Sequence, residues 1–179
     1  MAERKEYTIA DLGITAAAPE EIISGSMDEE IRKRMLAVIE AEAPILESLL
    51  YKRVIASFSL RKVGSRILPV FEAAASALLV TITDDNGERV FHRDGEEDCY
   101  RPTPDAAVRY SYQIPSSEAA CCIRCILERE NRTLTKSELK RLFREEMGYD
   151  RMGAQVEALF RRAAGYPGIR RTGNGRFTL

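Results

Sequence analysis

The chain contains an internal repeat with an offset of 89 residues. Residues 62–74 read KVGSRILPVFEAA and residues 151–163 read RMGAQVEALFRRA, so that a basic residue, a glycine, aliphatic residues, a phenylalanine and an alanine occupy equal positions. The register continues upstream without a gap, since Ile45 corresponds to Leu134 and Phe58 to Met147. A period near 90 residues is too long for a solenoid and indicates one small domain present twice.

The first copy is predicted to form three helices and then a β-hairpin. Apolar residues at helical spacing predict helices to about Ala43 and over 46–58. A third helix is predicted to begin near Ser65, because Pro69 is tolerated only near a helix start. Asn86-Gly87 lies between two β-branched runs, which predicts a hairpin over 79–92.

The second copy repeats this order. Ser116-Ser117-Glu118 is predicted to cap a helix that runs to about Glu130. A capping-box pattern at Thr135 predicts the next helix, and the first copy has the same pattern at Ser26. A third helix over 151–164 and a small hairpin up to Leu179 complete the copy. Three helices followed by a hairpin is the winged-helix order, so we expect a mostly helical α+β protein with two tandem winged-helix domains. The predicted divisions are an N-terminal lead-in (1–26), a first winged-helix domain (27–93), an acidic connector (94–115) and a second winged-helix domain (116–179).

Charge is segregated along the chain, although the net charge is only −1. The net charge is −5 over residues 1–44, +3 over 45–83, −4 over 84–113 and +5 over 114–179. Positive charge therefore gathers on the repeated segments, and such a local basic footprint is typical of nucleic-acid-binding proteins. No apolar run reaches the length of a membrane span and the N-terminus lacks the apolar core of a signal peptide, so we expect a cytoplasmic protein without a membrane partner.

The basic side chains of the second copy are the candidate nucleic-acid contacts. In winged-helix proteins the third helix commonly enters the major groove and the wing touches the backbone, and arginine suits both phosphate and guanine edges. The first hairpin is acidic and would repel phosphate, so the first copy is interpreted as a docking or dimerisation surface. The candidate residues are Arg151, Gln155, Arg161, Arg162, Arg170, Arg171 and Arg176, with Arg61, Lys62 and Arg66 at the corresponding place in the first copy.

Signals for catalysis or for a metal are weak, and we expect no enzyme activity, no metal and no cofactor. Cys121, Cys122 and Cys125 fall on one predicted helix with no second Cys/His pair, so buried thiols are favoured over zinc. The lone His92 has no recognisable nucleophile partner. Glu138-Leu139-Lys140 matches part of a nuclease motif, but the capping box already accounts for Glu138.

Part of the first copy is similar to an uncharacterised bacterial and archaeal domain family. The resemblance is carried by Glu40-Ala41-Glu42-Ala43-Pro44-Ile45, by Arg53-Val54 and by Arg61-Lys62-Val63-Gly64-Ser65-Arg66-Ile67. That family sits at the C-terminus of large superfamily-one helicase-like proteins, some with a restriction-endonuclease-like domain. The resemblance implies a nucleic-acid context, although a phosphate loop of the Gly-x-x-x-x-Gly-Lys-Ser/Thr type is missing from this sequence.

These observations predict a module that binds nucleic acid, most simply duplex DNA, as an accessory to a helicase- or restriction-like system. The partner would be a helicase-like or nuclease protein, in cis or in trans. The alternative is a protein-interaction module, or a homodimer formed through the first domain, without nucleic-acid contact.

Overall fold

The computed structural model describes residues 3–179, which form two compact units. The first-copy unit consists of Thr8–Glu96, and the second-copy unit consists of the N-terminal residues up to Tyr7 together with Glu97–Leu179. Both helices and short strands occur in each unit, so the chain is α+β as predicted. Within the described residues, none of the helices combines the length and apolar character needed to cross a bilayer.

The first-copy unit packs its helices against a three-stranded antiparallel sheet. Its elements are α1 (Pro19–Ile23), α2 (Asp28–Glu42), β2 (Ile45–Leu46), α3 (Glu47–Ser57), α4 (Leu68–Ser76), β3 (Ile82–Asp85) and β4 (Glu88–Phe91). The strand order is β2-β4-β3, and Ile45 pairs with Phe91. Asn86 and Gly87 connect the hairpin with φ values of 56° and 85°, the left-handed conformation that this two-residue turn requires.

The second-copy unit has the same order of helices and hairpin, and one additional strand pair. Its elements are β1 (Glu3–Arg4), β5 (Cys99–Tyr100), a 3-10 helix (Ser111–Gln113), α5 (Ser116–Glu130), α6 (Lys136–Glu146), α7 (Ala154–Ala164), β6 (Arg170–Arg171) and β7 (Phe177–Thr178). β1 pairs with β5 in parallel, and β6 pairs with β7 antiparallel. A single bridge joins Leu134 to Phe177.

The two copies also resemble each other in how their strands pair. Ile45 and Leu134 are equivalent in the repeat, and each pairs with a phenylalanine in the second strand of its hairpin. The equivalent core residues Phe71 and Phe160 are both buried. The two copies therefore share element order and strand connectivity, and the hairpin predicted over 79–92 is present.

Two helices begin later than the sequence predicts. α4 begins at Leu68, which places Pro69 in the first turn where proline is tolerated. α7 begins at Ala154, whereas the sequence predicts a start at residue 151. Gly64 and Gly153 precede these helices, and a Cβ added at either would meet nothing within 4 Å. The repeated glycine therefore lies shortly before a helix in each copy and does not mark a close helix contact.

Of the two capping boxes predicted at Ser26 and Thr135, only the one at Thr135 forms. At α6, Thr135 Oγ1 accepts from the Glu138 backbone N–H at 3.2 Å, and the Glu138 carboxylate accepts from the Thr135 N–H at 2.7 Å. The bond from the Thr135 backbone N–H, followed by those from the Thr135 hydroxyl and from Arg132, lowers the pKa of the Glu138 carboxyl to about 2. Ser26 is not a cap, because its hydroxyl instead donates to the Glu21 carbonyl and α2 begins without a side-chain cap.

The Thr135→Ala substitution will lower the free energy of unfolding of the second-copy unit by about 1 kcal/mol, because it removes an N-cap hydrogen bond. Ser26→Ala is the matched control and will change stability by less than about 0.5 kcal/mol. Urea denaturation of both variants measures the difference. Equal losses of unfolding free energy in the two variants would contradict the finding that the capping box forms at Thr135 and not at Ser26.

Segments predicted as lead-in and connector carry structure of their own. The lead-in contains β1 and α1, and Ile22 of α1 is fully buried. Most of the predicted connector, from Glu97 onward, belongs to the second-copy unit, where Tyr100 and Ile114 join the core.

Candidate nucleic-acid interface

Exposed arginines border α7 and the hairpin of the second copy. The inward face of α7 buries Val156, Leu159, Phe160 and Ala163. This burial leaves Gln155 and Arg161 exposed, while Arg151 lies in the loop just before the helix and not in its first turn. Arg170 and Arg171 are exposed on β6. The amphipathic pattern that folds α7 therefore also presents its polar residues to solvent.

These arginines have no acidic partner in the described part of the chain. Arg151, Arg161, Arg170 and Arg171 form no ion pair within residues 3–179. Basic residues on α5 and α6 behave differently: examples are the pairs Arg129–Glu146 at 2.9 Å, Arg141–Glu145 at 2.9 Å and Lys140–Glu157 at 2.5 Å. The second-copy unit thus neutralises one set of cations and leaves the other set available to an external anion.

Two of the predicted contact residues are engaged inside the unit. Arg162 is half-buried, and its Nε donates to Ser116 Oγ at 3.1 Å. Arg176 Nε donates to Thr133 Oγ1 at 3.1 Å, which ties the hairpin to the loop before α6. These two arginines hold α7 and the hairpin in place.

A cleft of about 420 Å³ opens at the start of α7. Its lining includes both predicted reader residues, Arg151 and Gln155, together with Asp150. Ser111 of the 3-10 helix lines it too, and this helix packs against α7. Tyr110 and Tyr112 flank Ser111 and stack on each other, with ring centroids 5.2 Å apart and planes inclined by 9°. Both rings are substantially exposed, Tyr110 at 41% and Tyr112 at 47%.

The first-copy candidates lie in a loop and not on a helix. Arg61, Lys62 and Arg66 are exposed between α3 and α4, and Arg66 approaches Glu20 at 4.0 Å with both side chains mostly in solvent. The arginine of the first hairpin, Arg89, is bound internally, because it donates to Glu47 on α3. The first copy therefore has no basic hairpin comparable to β6–β7.

A buried charge cluster, which the sequence did not predict, supports the second-copy unit. The Glu118 carboxylate is fully buried and receives hydrogen bonds from both Arg101 and Arg109, among them Arg101 Nη2 to Oε2 at 2.7 Å and Arg109 Nη1 to Oε2 at 2.9 Å. The ring of Tyr7 lies over both guanidiniums, with its centroid 4.0 Å from the Cζ of Arg109 and 4.9 Å from that of Arg101. Burial by itself raises the pKa of the Glu118 carboxyl, but the guanidiniums, Arg109 foremost, hold that pKa at about 2.

Two of the cysteines lie in the core, and the histidine is hydrogen-bonded to neighbouring side chains. Cys121 and Cys122 are buried, and burial raises the pKa of the Cys121 thiol to about 11 and that of Cys122 well above its ordinary value. Within the described residues, no cluster of three or more His, Cys, Asp or Glu side chains could hold a metal. His92 is half-buried. Its Nε2 lies 2.9 Å from the Thr83 hydroxyl oxygen, and its Nδ1 lies 2.8 Å from a carboxylate oxygen of Glu96.

Comparison with known proteins gives one partial match. A family model described as a protein of unknown function (DUF3320) matches residues 20–68. The expected similarity to an uncharacterised domain family is confirmed over this range. The matched segment includes the buried ion pair between Glu42 and Arg53, whose Nε and Oε2 are 3.0 Å apart. Neither a curated protein nor a solved structure matches the chain.

Proposed function

We propose that each copy is a winged-helix unit and that the second copy binds duplex DNA. In this proposal the chain is an accessory module of a helicase- or restriction-like system. The observation that carries it is the set of four arginines without acidic partners around α7 and β6–β7. The resemblance over about 40–80 to a helicase-associated domain family supports the second part.

The proposed geometry follows from the exposed residues of the second-copy unit. α7 enters the major groove with its N-terminal end, so that Arg151 and Gln155 face base edges. Arg170 and Arg171 on the hairpin contact phosphates, which fixes the register of the protein on the duplex. Arg161 adds a further phosphate contact along the helix.

The first-copy unit has a different role in this proposal. Its hairpin carries Asp84 and Asp85 next to the exposed side chains of Ile82 and Leu79, the latter 97% exposed. An acidic hairpin with apolar neighbours suits a protein surface better than a phosphate backbone. We assign it to docking on a helicase-like or nuclease partner, or to a homodimer.

Replacing both Arg170 and Arg171 with alanine will weaken binding to duplex DNA of any sequence. Each lost phosphate contact flattens the log–log salt dependence by about one unit, so the double variant loses about two. Fluorescence anisotropy of a labelled duplex at several salt concentrations measures both the affinity and the slope.

The matched control is the double variant Arg129→Ala and Arg141→Ala, which removes equal charge from arginines that already have glutamate partners. It will change the affinity and the slope much less. No binding at low salt, or equal losses from the two double variants, would favour the protein-interaction alternative.

A further inference from the structure

The residues that flank Ser111, which lines the cleft at the start of α7, form an aromatic surface that contact with a regular duplex does not explain. A regular duplex keeps its bases stacked inside, so it offers no exposed ring face to a protein side chain. Tyr110 and Tyr112 nevertheless present a stacked and exposed ring pair, and Ser111, which lies between them in sequence, lines the cleft together with Arg151 and Gln155.

We propose that this cleft and the tyrosine pair hold an unpaired nucleotide next to the duplex. The ligand class is thus a junction between duplex and single strand, and the inference rests on the proposed DNA binding. The base stacks on the tyrosine pair, since aromatic side chains on a positive surface are the usual platform for single-stranded bases.

The lining of the cleft fits a base together with its phosphate better than it fits a phosphate alone. At a junction Arg151 and Gln155 donate to the unpaired nucleotide instead of to a paired base edge, whereas the carboxylate of Asp150 repels phosphate and accepts from an exocyclic amino group. The cleft is also large enough for a small organic ligand, because at about 420 Å³ it falls within the usual range of such sites.

The arrangement is available in the folded unit without rearrangement. The 3-10 helix, which contains Tyr112 and directly follows Tyr110, packs against α7, so the tyrosine pair and the cleft belong to one packed region. Arg151 has no ion pair to break within the described residues. The nearby Arg144 is engaged with the Asp150 carbonyl at 3.0 Å and holds the loop that carries Asp150.

The test compares three labelled duplexes of one sequence by anisotropy at fixed salt: a blunt duplex, one with a short single-stranded overhang, and one whose overhang has abasic sugars. The abasic overhang keeps the added phosphates and lacks the bases. The protein will bind the normal overhang about five- to 150-fold more tightly than the abasic one, the range expected for stacking of one base.

Replacing both Tyr110 and Tyr112 with alanine will remove this preference and leave binding to the blunt duplex unchanged, whereas the corresponding phenylalanine variant will retain it. Equal affinity of the unaltered protein for the two overhangs would overturn the inference, as would a preference that persists in the alanine variant. Salt-dependent binding to the blunt duplex, which reports on the proposed function, is unaffected by either of these outcomes. Absence of all binding at low salt would overturn both.

Discussion

Replacing Glu118 with glutamine will lower the free energy of unfolding of the second-copy unit by about 3–5 kcal/mol, because it removes the buried carboxylate charge that both buried guanidiniums contact. Such a loss is a large part of the stability of a small domain. Urea denaturation gives the total cost, and amide exchange in α5 assigns it to this unit. The control is Glu128→Gln, since Glu128 lies on the same helix and is exposed.

The cost of the Glu118 substitution will depend on pH. The pKa of this carboxyl is about 2 in the folded protein, against an ordinary value of 4.5, so its stabilisation is complete above about pH 4.5 and is lost as the pH falls toward 2. The difference in unfolding free energy between the unaltered protein and the glutamine variant will therefore shrink across that window. A difference that stays constant from neutral pH to pH 2 would contradict the assigned ion cluster.

Phe71→Ala and Phe160→Ala will each cost about 3–5 kcal/mol, because each removes a buried ring from the same position of the repeat. The Phe71 ring meets Tyr51 edge-on, with centroids 5.4 Å apart, and the Phe160 ring meets Phe143 with centroids 5.5 Å apart. Amide exchange will show the loss of protection in the first-copy unit for Phe71→Ala and in the second-copy unit for Phe160→Ala.

Leu79→Ala serves as the control for the two phenylalanine variants. Leu79 is a large apolar residue, but 97% of it is exposed, so its removal will cost less than about 0.5 kcal/mol. If only one of the phenylalanine substitutions proved destabilising, the equivalence of the two cores would be refuted.

The repeat and the periodicity predicted most of the helices and both hairpins. Positions such as Leu50 and Leu139 recur because each packs into the core of its own copy, and that requirement is visible in one sequence. The strand that contains Ile45 was missed, since two residues are too few to show alternation. Its partner Phe91 is distant in sequence, and only the folded chain reveals the pairing.

Parts of the candidate interface could be predicted from the sequence, and parts could not. The arginines of α7 stand out because they fall outside the apolar stripe of the helix, and those of β6 stand out because they lie on a predicted hairpin. Sequence alone did not separate Arg161 from Arg162, although only the second is engaged, with Ser116 on α5. Arg101 and Arg109 were missed for a related reason: they lie in an acidic, irregular stretch, and their carboxylate partner Glu118 looked like part of a helix cap.

The parallel pairing of β1 with β5 has a consequence for the way this protein can be divided. Two parallel neighbours cannot be joined by a tight turn and need a crossover connection. Here the whole of Thr8–Glu96 is that connection, so one folded copy is inserted within the chain path of the other. A fragment that starts at residue 94 would lack β1 and the Tyr7 ring over the arginines, and the second copy can be completed only after the first has been synthesised.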